Sequence, residues 1–297
     1  MSVDTNSGGT SPIHKAVVPA AGLGTRLAPL TLATPKELLP IGRLPVLGHV
    51  ANELREAGIT DVLFIVSTGK RQIPDYFGSC YHTNHGALRC EYVVQDEPLG
   101  AGDAVLSARD WVGCRPVVIA FGDSFISRST ASEAEPPLAR LIRAHQQRKA
   151  SATVLVEHLP REKVSSYGVV APAVGAMPGQ EEAFRIDRIV EKPVPAEAPS
   201  TYTVAARFVV DPDLFRHLEV RKVDERGEQN LPNALNALGE AGGALYAQRL
   251  RHGEKRWDIG NFESYFTGFT SFALNDREVG GAVKRALLDY AEPAEQG

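Results

Sequence analysis

The stretch PAAGLGTRLAPLTLATPKELLP, residues 19–40, combines glycines with two cationic side chains. Gly22 and Gly24 let backbone N–H groups approach a ligand closely, and such a loop can form an anion-binding nest. Arg26 offers a bidentate guanidinium and Lys36 a compact ammonium charge, a combination that suits a polyphosphate. The stretch therefore predicts a phosphate site, and the alternative is a glycine turn beside two surface cations.

The glycine spacing differs from two common nucleotide-binding codes. A dinucleotide fingerprint, G-x-G-x-x-G, would place its third glycine where this chain has Leu27. A P-loop ends in G-K-[ST], whereas Gly24 is followed by Thr25 and Arg26. The stretch therefore belongs to neither class.

The elements that must position this stretch follow from the apolar runs of the chain. Buried strands are predicted over residues 15–21, 61–68, 88–95, 116–124 and 151–159, and helices over about 45–58, 102–112 and 136–150. This alternation predicts an α/β sandwich with a mainly parallel central sheet. In such a sheet a ligand binds beyond the carboxyl ends of the strands, which is where Gly22, Gly24 and Asp123 fall.

The pattern changes after residue 160. Short extended pieces, YGVVAP, RIDRIVEKP and TVAARFVVDPDLF, are separated by turns, and helices return at LPNALNALGEAG and NFESYFTGFTSFALN. No internal repeat and no long linker divides the chain. We therefore predict a disordered N-terminal tail over residues 1–12 and a single domain over residues 13–290.

Composition excludes several classes of protein. The 297 residues carry a net charge of −4, so no basic surplus indicates nucleic-acid binding. Cys80, Cys90 and Cys114 lack metal-ligand spacing and are typical of idle thiols in a reducing compartment. The polar N-terminus has no signal-peptide core, and no apolar run is long enough to cross a bilayer. We predict a cytoplasmic protein with no membrane and no nucleic-acid partner.

The string AAGLGTRLAPLTLATPKELLP resembles the signature of the sugar-phosphate nucleotidylyltransferases, G-x-G-T-R-x-P-x-T…P-K-x-L-[LV]-P, and PKELLP is nearest to the bacterial UTP–glucose-1-phosphate uridylyltransferases. Further matches follow in order from about residue 15 to 270: VVQ…LGAGDAV, FGDS, SYGVV, VEKP and WDIGN. The resemblance implies a Rossmann-like three-layer sandwich with a mostly parallel mixed central sheet, the nucleotide-diphospho-sugar transferase fold. It also implies a nucleotide-binding half over about 13–160, a sugar-binding half over about 161–265, and C-terminal helices after it.

The implied reaction is NTP + sugar 1-phosphate → NDP-sugar + pyrophosphate. By resemblance, Arg26 grips the β- and γ-phosphates, and Lys36 shares that task or contacts the α-phosphate. Gln95 hydrogen-bonds the base edge, and Gly100 packs against the ring. The nucleotide-binding residues implied in this way are Ala20, Ala21, Gly22, Gly24, Thr25, Gln95 and Gly100.

The resemblance assigns the acceptor and a metal in the same way. Lys192, the third catalytic cation beside Arg26 and Lys36, would hold the sugar phosphate. The sugar-phosphate residues implied are Tyr167, Gly168, Glu191, Lys192 and Ala206. Asp123 and Asp258 are the expected ligands of a Mg²⁺ cofactor, because a hard cation between phosphates prefers carboxylate oxygens.

Two departures from the uridylyltransferase pattern leave the identity of the acceptor open. The uridylyltransferase pattern G-E-I-Q-L-T-D appears as GEQNLPNAL, residues 227–235, with Pro232 and Asn233 in place of Thr-Asp. This segment is expected to help build the sugar side and a subunit contact. Ala206 stands where relatives usually have glycine. Glucose 1-phosphate is the expected acceptor, and a modified sugar or cyclitol phosphate is the alternative.

The base and the functional class also have alternatives. UTP is favoured and dTTP is next, because uracil and thymine share one hydrogen-bonding edge, while GAGDAV resembles the adenylyltransferase G-T-A-D-A. A catalytically silent nucleotide-binding regulatory protein is the alternative of another class, against which stands the presence of all the expected cations and carboxylates. A homodimer or homotetramer is expected.

Overall fold

The computed structural model describes residues 12–97, 99–128, 134–220, 223 and 227–291. The predicted N-terminal tail therefore lies outside the described residues except for Pro12. The strands are β1 (Lys15–Pro19), β2 (Pro40–Ile41), β3 (Leu44–Pro45), β4 (Asp61–Ser67), β5 (Cys80–Thr83), β6 (Gly86–Gln95), β7 (Val117–Ala120), β8 (Ser124–Ser127), β9 (Ala152–His158), β10 (Gly168–Pro172), β11 (Ala183–Glu191), β12 (Tyr202–Val210), β13 (Leu245–Arg249) and β14 (Lys255–Asp258).

The helices surround these strands and are mostly short. They are α1 (Leu30–Ala33), α2 (Val46–Glu56), α3 (Gln72–Phe77), α4 (Ala101–Leu106), α5 (Arg109–Val112), α6 (Pro137–Arg148), α7 (Leu214–Glu219), α8 (Leu231–Glu240), α9 (Phe262–Leu274) and α10 (Gly280–Ala291). Turns of 3₁₀ helix cover Thr25–Leu27, Lys36–Leu38, Arg161–Ser166 and Pro195–Glu197. Within the described ranges, no helix has the length and apolar character that a bilayer crossing needs.

One ten-stranded sheet runs through the molecule in the order β10-β11-β13-β9-β12-β7-β1-β4-β6-β5. β7, β1, β4 and β6 are parallel neighbours, as are β9 and β13. All of the remaining pairings of this sheet among the described residues, including those of β12 with β7 and β9, are antiparallel. The α/β sandwich with a mixed central sheet is confirmed, and its parallel share is smaller than expected because the strands after residue 160 pair mainly antiparallel.

Side chains alternate across the central strands and build two cores. In β1, Ala16 and Val18 face one core and Val17 faces the other, as the pleat of a strand requires. Apolar residues of α2, α3, α6 and α9 complete the first core, and those of α4, α5, α7 and α8 complete the second. These two helical layers on either face of the sheet give the three-layer arrangement.

The strand predicted over residues 116–124 is in fact two strands. β7 ends at Ala120, and β8 leaves the main sheet to pair with β14. The chain turns at Gly122, whose N–H donates to Pro19 O over 3.1 Å. A Cβ at Gly122 would lie 3.3 Å from Ala20 Cβ, so the close approach depends on glycine. The turn places Asp123 beside the carboxyl end of β1.

Candidate active site

The glycine loop begins at the carboxyl end of β1, in the middle of the sheet. Ala20 N–H donates to Ile65 O over 2.8 Å and extends the strand. Gly24 has a φ of +68°, a left-handed conformation that favours glycine, and it precedes the 3₁₀ turn Thr25–Leu27. A Cβ at Gly24 would also lie 3.1 Å from Thr31 Cγ2. The predicted residues brought together here are Ala20, Ala21, Gly22, Gly24 and Thr25.

A buried lysine fixes the shape of this loop. Lys70 Nζ donates to Ala20 O over 2.7 Å, to Gly22 O over 2.6 Å, and to the two carboxylate oxygens of Glu37 over 2.9 and 2.7 Å. Burial lowers the pKa of Lys70, against the attraction of Glu37. Because four oxygens surround the ammonium, the loop backbone is held in one arrangement before a ligand binds.

Lys36 and Asp123 form a second charged pair at this edge. Lys36 Nζ lies 2.5 Å from Asp123 Oδ2. Burial opposes both charges, but the attraction between them and their hydrogen bond raise the pKa of Lys36 and lower the pKa of Asp123. A Cβ at Gly22 would lie 3.7 Å from Lys36 Nζ. The ammonium therefore stands at the glycine loop and next to the carboxylate.

Asp258 converges on Asp123 from a distant part of the sequence. β14 pairs with β8 so that Asp258 lies opposite Ser124, and Ile259 N–H donates to Asp123 O over 3.0 Å. Burial, and then the charge of Asp123, raise the pKa of Asp258. A cation bound between the two carboxylates would relieve this repulsion.

The donor set at this point suits magnesium. Magnesium is commonly bound through one or two carboxylates, with substrate phosphates and waters completing its shell. Asp123 and Asp258 supply that pair, and among the described residues no larger cluster of ligating side chains exists that would suit an all-protein metal cage.

Arg26 lies on the open side of this site. It belongs to the exposed 3₁₀ turn after the glycine loop. A Cβ on Gly260 would lie 3.3 Å from Arg26 Nη2 and 3.3 Å from Asp258 Oδ1, so the guanidinium and this carboxylate flank the same glycine. Arg26 forms no ion pair with any residue in the described part of the chain. Its charge is available to an anion that enters the cleft.

Gln95 and Gly100 lie at the same edge of the sheet. Gln95 ends β6, which is separated from β1 only by β4, and it is 8% exposed. Its Nε2 donates to Asp103 Oδ2 over 2.8 Å and to Gly100 O over 3.2 Å. Gly100, with a φ of +106°, immediately precedes α4. The structure thus brings together the two residues that were assigned to the base.

The residues expected to bind the acceptor lie around the start of β10 and the end of β11, with Ala206 on β12. The antiparallel register sets Gly168 opposite Glu191, and Lys192 N–H donates to Tyr167 O over 3.1 Å. A Cβ at Gly168 would lie 3.1 Å from Glu191 Oε2. Lys192 has a φ of +44°, and its ammonium lies 3.4 Å from Glu191 Oε1. A non-glycine residue in this conformation is strained, and such strain is common at ligand sites.

Arg256 connects the acceptor side to the carboxylate pair. Its guanidinium lies 4.0 Å from the centre of the Tyr167 ring and 2.6 Å from Glu157 Oε1. It also lies 3.7 Å from Asp258 Oδ2. Tyr167 and Asp258 are thereby held on either side of one buried cation, which places the two halves of the site in a common cleft.

Ala206 occupies a bulge in β12. The register of β12 against β9 shifts between Val204 and Phe208, and Ala206 has a φ of +55°. Phe121 N–H donates to Ala206 O over 3.2 Å, so the bulge lies directly beside the turn that carries Asp123. This backbone conformation favours glycine, which is also the residue that the resemblance leads us to expect here.

Arg207 donates hydrogen bonds to the same turn. Its guanidinium makes two 2.8 Å bonds to the carboxylate of Glu53 on α2 and donates to Ser124 O over 2.8 Å and to Phe121 O over 3.3 Å. Arg207 is fully buried. Because the two carbonyls lie on either side of Asp123 in the chain, this ion pair sets the position of the Asp123 backbone.

Residues 227–231, the first part of the segment 227–235, lie against the loop that carries Gly100. The later part belongs to α8, which packs against β11, so a role on the sugar side stays a prediction. Gln229 N–H donates to Leu99 O over 2.7 Å, and Gly102 N–H donates to Gln229 O over 2.8 Å. These contacts form because α7 and α8, which flank the segment, pack in the same layer as α4. Asn230 then caps α8 by accepting from Asn233 N–H over 3.0 Å. Proline at position 232 suits this first helical turn.

Sequence reasoning missed the buried and half-buried partners that hold the site. They are Glu37, Glu53, Lys70, Asp103, Glu157, Arg207 and Arg256. Arg207 had a usable signal, because it is the single charge in the apolar run TVAARFVV. Lys70 had none, since its partners lie on the loop far before it.

Two cavities lie outside this cleft. One, of about 280 Å³, opens at the amino-terminal edge of the sheet, among residues that include Ile13, Arg115 and His145. The other, of about 130 Å³, lies between α7 and the start of α8 and includes Gln229. Neither is lined by the charged residues of the glycine loop or of the Asp123–Asp258 pair.

Comparison with known proteins agrees with this geometry. The UTP–glucose-1-phosphate uridylyltransferase of Streptococcus pneumoniae is 30% identical over 300 residues, which cover 95% of this chain and 98% of that protein. A UTP-bound UGPase from Acinetobacter baumannii has a similar structure, with a TM-score of 0.82 and 27% identity over 94% of this chain and 99% of that one. A UDP-glucose pyrophosphorylase complexed with UDP-glucose gives a TM-score of 0.79 and 27% identity, covering 89% of this chain and 100% of that one.

The sequence also matches the profile of the Nucleotidyl transferase family over residues 15–273. That range includes every residue of the cleft, from the glycine loop to Asp258. The chain belongs to the nucleotidyl transferase family.

Proposed function

We propose that this protein is a UTP–glucose-1-phosphate uridylyltransferase, which forms UDP-glucose and pyrophosphate from UTP and glucose 1-phosphate. The observation that carries the proposal is the chain of contacts that runs from Lys36 and Asp123 through Asp258 and Arg256 to Tyr167. It links a phosphate-binding loop to an acceptor pocket in one cleft, and each relative compared above is named for this substrate pair or its product.

The chemistry needs alignment of two polyanions more than it needs a covalent catalyst. A phosphate oxygen of the sugar phosphate forms a bond to the α-phosphorus of UTP, the bond from that phosphorus to the bridging oxygen of the β-phosphate breaks, and pyrophosphate leaves. Arg26 and Lys36 neutralise the nucleotide phosphates, and Lys192 holds the sugar phosphate. The three cations lower the repulsion that otherwise keeps the reactants apart.

We propose that Asp123 and Asp258 hold a Mg²⁺ ion. When bound, the ion would supply positive charge to the phosphates that carry negative charge through the reaction. Lys36 also pairs with Asp123, and its positive charge keeps that carboxylate ionised. Glu157 and Tyr167 fix Arg256, which in turn orients Asp258.

A second acceptor is supported by one observation. Ala206 is a residue of the proposed sugar pocket, it stands at a bulge with a φ of +55°, and it carries a methyl group where the resemblance leads us to expect glycine. An acceptor that carries a substituent different from glucose, a modified sugar or a cyclitol phosphate, would meet an altered wall there. We expect such a compound to compete with glucose 1-phosphate.

The experiment is a pyrophosphate-release assay with UTP, dTTP, ATP and CTP against a panel of sugar and cyclitol phosphates. We expect UTP with glucose 1-phosphate to give the highest kcat/KM. A modified acceptor with a higher value would favour the second candidate. Absence of release with every pair, in a protein that still binds nucleotide, would support a regulatory role and contradict the proposal.

Self-association stays a prediction. Several apolar side chains of α9 and α10 are exposed, including Phe266, Phe269 and Leu288. We expect a homodimer or homotetramer, which light scattering after gel filtration would measure.

A further inference from the structure

The amide of Gln95 has a fixed direction in this structure. Its two amide hydrogens have two acceptors, since Nε2 donates to Asp103 Oδ2 over 2.8 Å and to Gly100 O over 3.2 Å. Oε1 accepts no hydrogen bond from any residue that the structure describes. It is also absent from the small set of buried polar atoms without a partner, so it reaches solvent. The oxygen, and not the nitrogen, is thus presented to a ligand.

Asp103 makes this direction obligatory. An ionised carboxylate can only accept hydrogen bonds, whereas an amide group can present either of its ends. If the Gln95 amide turned over, Oε1 would face both the carboxylate of Asp103 and the carbonyl of Gly100. Three acceptors without a donor would then meet in a largely buried place, which is unfavourable.

The carbonyl of Gly100 is fixed as well. Its loop is paired with Gln229, through the bonds from Gln229 N–H to Leu99 O at 2.7 Å and from Gly102 N–H to Gln229 O at 2.8 Å. A Cβ at Gly100 would lie only 2.4 Å from Gln229 O, so the loop and the segment are in tight contact. The loop cannot shift to relieve a reversed amide without breaking this pairing.

We propose that Asp103 is a specificity-determining positioning residue, which commits Gln95 Oε1 to accept a hydrogen bond from the nucleotide base. The inference rests on the proposed function, in that Gln95 contacts the base. Uracil and thymine carry an N3–H that can donate to Oε1. Cytosine N3 and adenine N1 carry a lone pair instead, so both would face an acceptor. The site thereby selects bases by the direction of one hydrogen bond.

The carboxylate also has an ordinary structural role that must be separated from this one. Asp103 lies in the first turn of α4, where a negative charge is favourable to the helix. Loss of that role would lower the stability of the protein and would weaken the binding of all nucleotides alike. Loss of the proposed role would change the ratio between UTP and CTP, which share one ring size and differ at N3 and at the neighbouring substituent.

The first test compares Asp103→Asn with the native protein by calorimetric titration of UTP and of CTP. Asparagine can donate to Gln95 Oε1, so a turned amide would face only the Gly100 carbonyl as an unmatched acceptor and could offer Nε2 to cytosine. We expect the preference for UTP over CTP to fall by about tenfold or more, mainly because CTP binds better. Asp110→Asn, an equal change on the exposed face of α5, should leave the ratio unchanged.

The second test restores the direction of the hydrogen bond between residue 95 and the base in another way. In the double variant Gln95→Glu with Asp103→Asn, the introduced asparagine amide can donate to one oxygen of the new carboxylate, while the other oxygen accepts from the base. We expect the UTP preference to return toward the native ratio. Gln95→Glu alone sets two carboxylates side by side and should bind UTP worst of the four proteins.

The outcomes separate the inference from the function on which it rests. A native protein that releases pyrophosphate from UTP and binds CTP equally well would overturn the inference and leave the function standing. So would an unchanged ratio in a folded Asp103→Asn protein, with its circular dichroism spectrum as the check. A native protein that binds no nucleotide would overturn the proposed function and the inference together.

Discussion

The two sides of the cleft hold their lysines in different ways. On the nucleotide side the side chains of Lys36 and Lys70 are 14% and 9% exposed, and each has a carboxylate within hydrogen-bonding distance. On the acceptor side the side chain of Lys192 is 53% exposed, and its distance to Glu191 is 3.4 Å. The nucleotide loop is therefore organised before binding, whereas the acceptor lysine is free to take its final position against a ligand.

This difference indicates where binding energy comes from on each side. A loop held by buried ion pairs loses little conformational freedom when the triphosphate arrives. An exposed lysine must be ordered by its ligand, and its strained backbone is the feature that limits its range. We expect variants of the buried ion pairs on the nucleotide side to affect folding and catalysis together, and variants of the exposed acceptor lysine to affect mainly substrate binding.

The largest expected effect is on stability. Lys70→Met should lower the free energy of unfolding by about 3–5 kcal/mol, because it leaves the Glu37 carboxylate buried without its partner. Lys192→Met should change it by less than about 1 kcal/mol, because the pair that it breaks is exposed. Urea denaturation measures both variants. Equal losses would mean that the two sides do not differ in the way proposed.

The next effect is on turnover. Asp123→Asn should lower kcat by about 100-fold or more, since it removes a charge that pairs with Lys36 and is proposed to hold the metal. The pyrophosphate-release assay measures it, and Asp110→Asn is the matched control. Native turnover in the Asp123 variant would remove that carboxylate from the proposed reaction.

A smaller effect should show which substrate each side of the cleft binds. Arg26→Ala should weaken UTP binding by about tenfold or more, because it removes a guanidinium that is available to the phosphates. Among the described residues no carboxylate forms an ion pair with it. Lys192→Ala should leave UTP binding within about twofold and raise the KM for the sugar phosphate. Titration calorimetry with UTP and steady-state kinetics test the pair. The reverse pattern would exchange the two assignments.

The smallest effect concerns the bulge of β12. Ala206→Gly should raise the free energy of unfolding by up to about 1 kcal/mol, because glycine adopts the left-handed backbone without strain. Ala205→Gly, one residue earlier in the same buried strand, should lower it by about the same amount. Thermal unfolding compares the two. A loss of stability in both would show that the backbone at Ala206 is not strained.

The glycine loop and the first half of the fold could be predicted because their signals are local. The strand over 61–68 is a nearly continuous apolar run and the strand over 88–95 mixes apolar with charged residues, and each lies within two residues of its predicted bounds. The acceptor half gave weaker signals. Its extended pieces were recognised as extended, but a short run carries no information on which strand it will pair with, and so the antiparallel share of the sheet was underestimated.

The candidate site shows the same division. Arg26, Lys36, Asp123, Lys192 and Asp258 lie in recognisable strings, and their roles stay predictions. Their supports lie far away in the chain, as Glu53 does from Arg207. Such pairs are set by the packing of α2 against β12 and its neighbours, and no spacing along the sequence reveals them.

The position of β12 between β7 and β9 has a consequence for how the protein is made. Residues 117–120 and 152–158 leave the ribosome well before residues 202–210, so the strand that joins β7 to β9 is the last of the three to arrive. Arg207 travels on that strand and is needed to grip the turn at Asp123. The catalytic edge therefore completes late in synthesis. A nascent chain released near residue 160 would hold every nucleotide-binding residue and still lack the centre of its sheet.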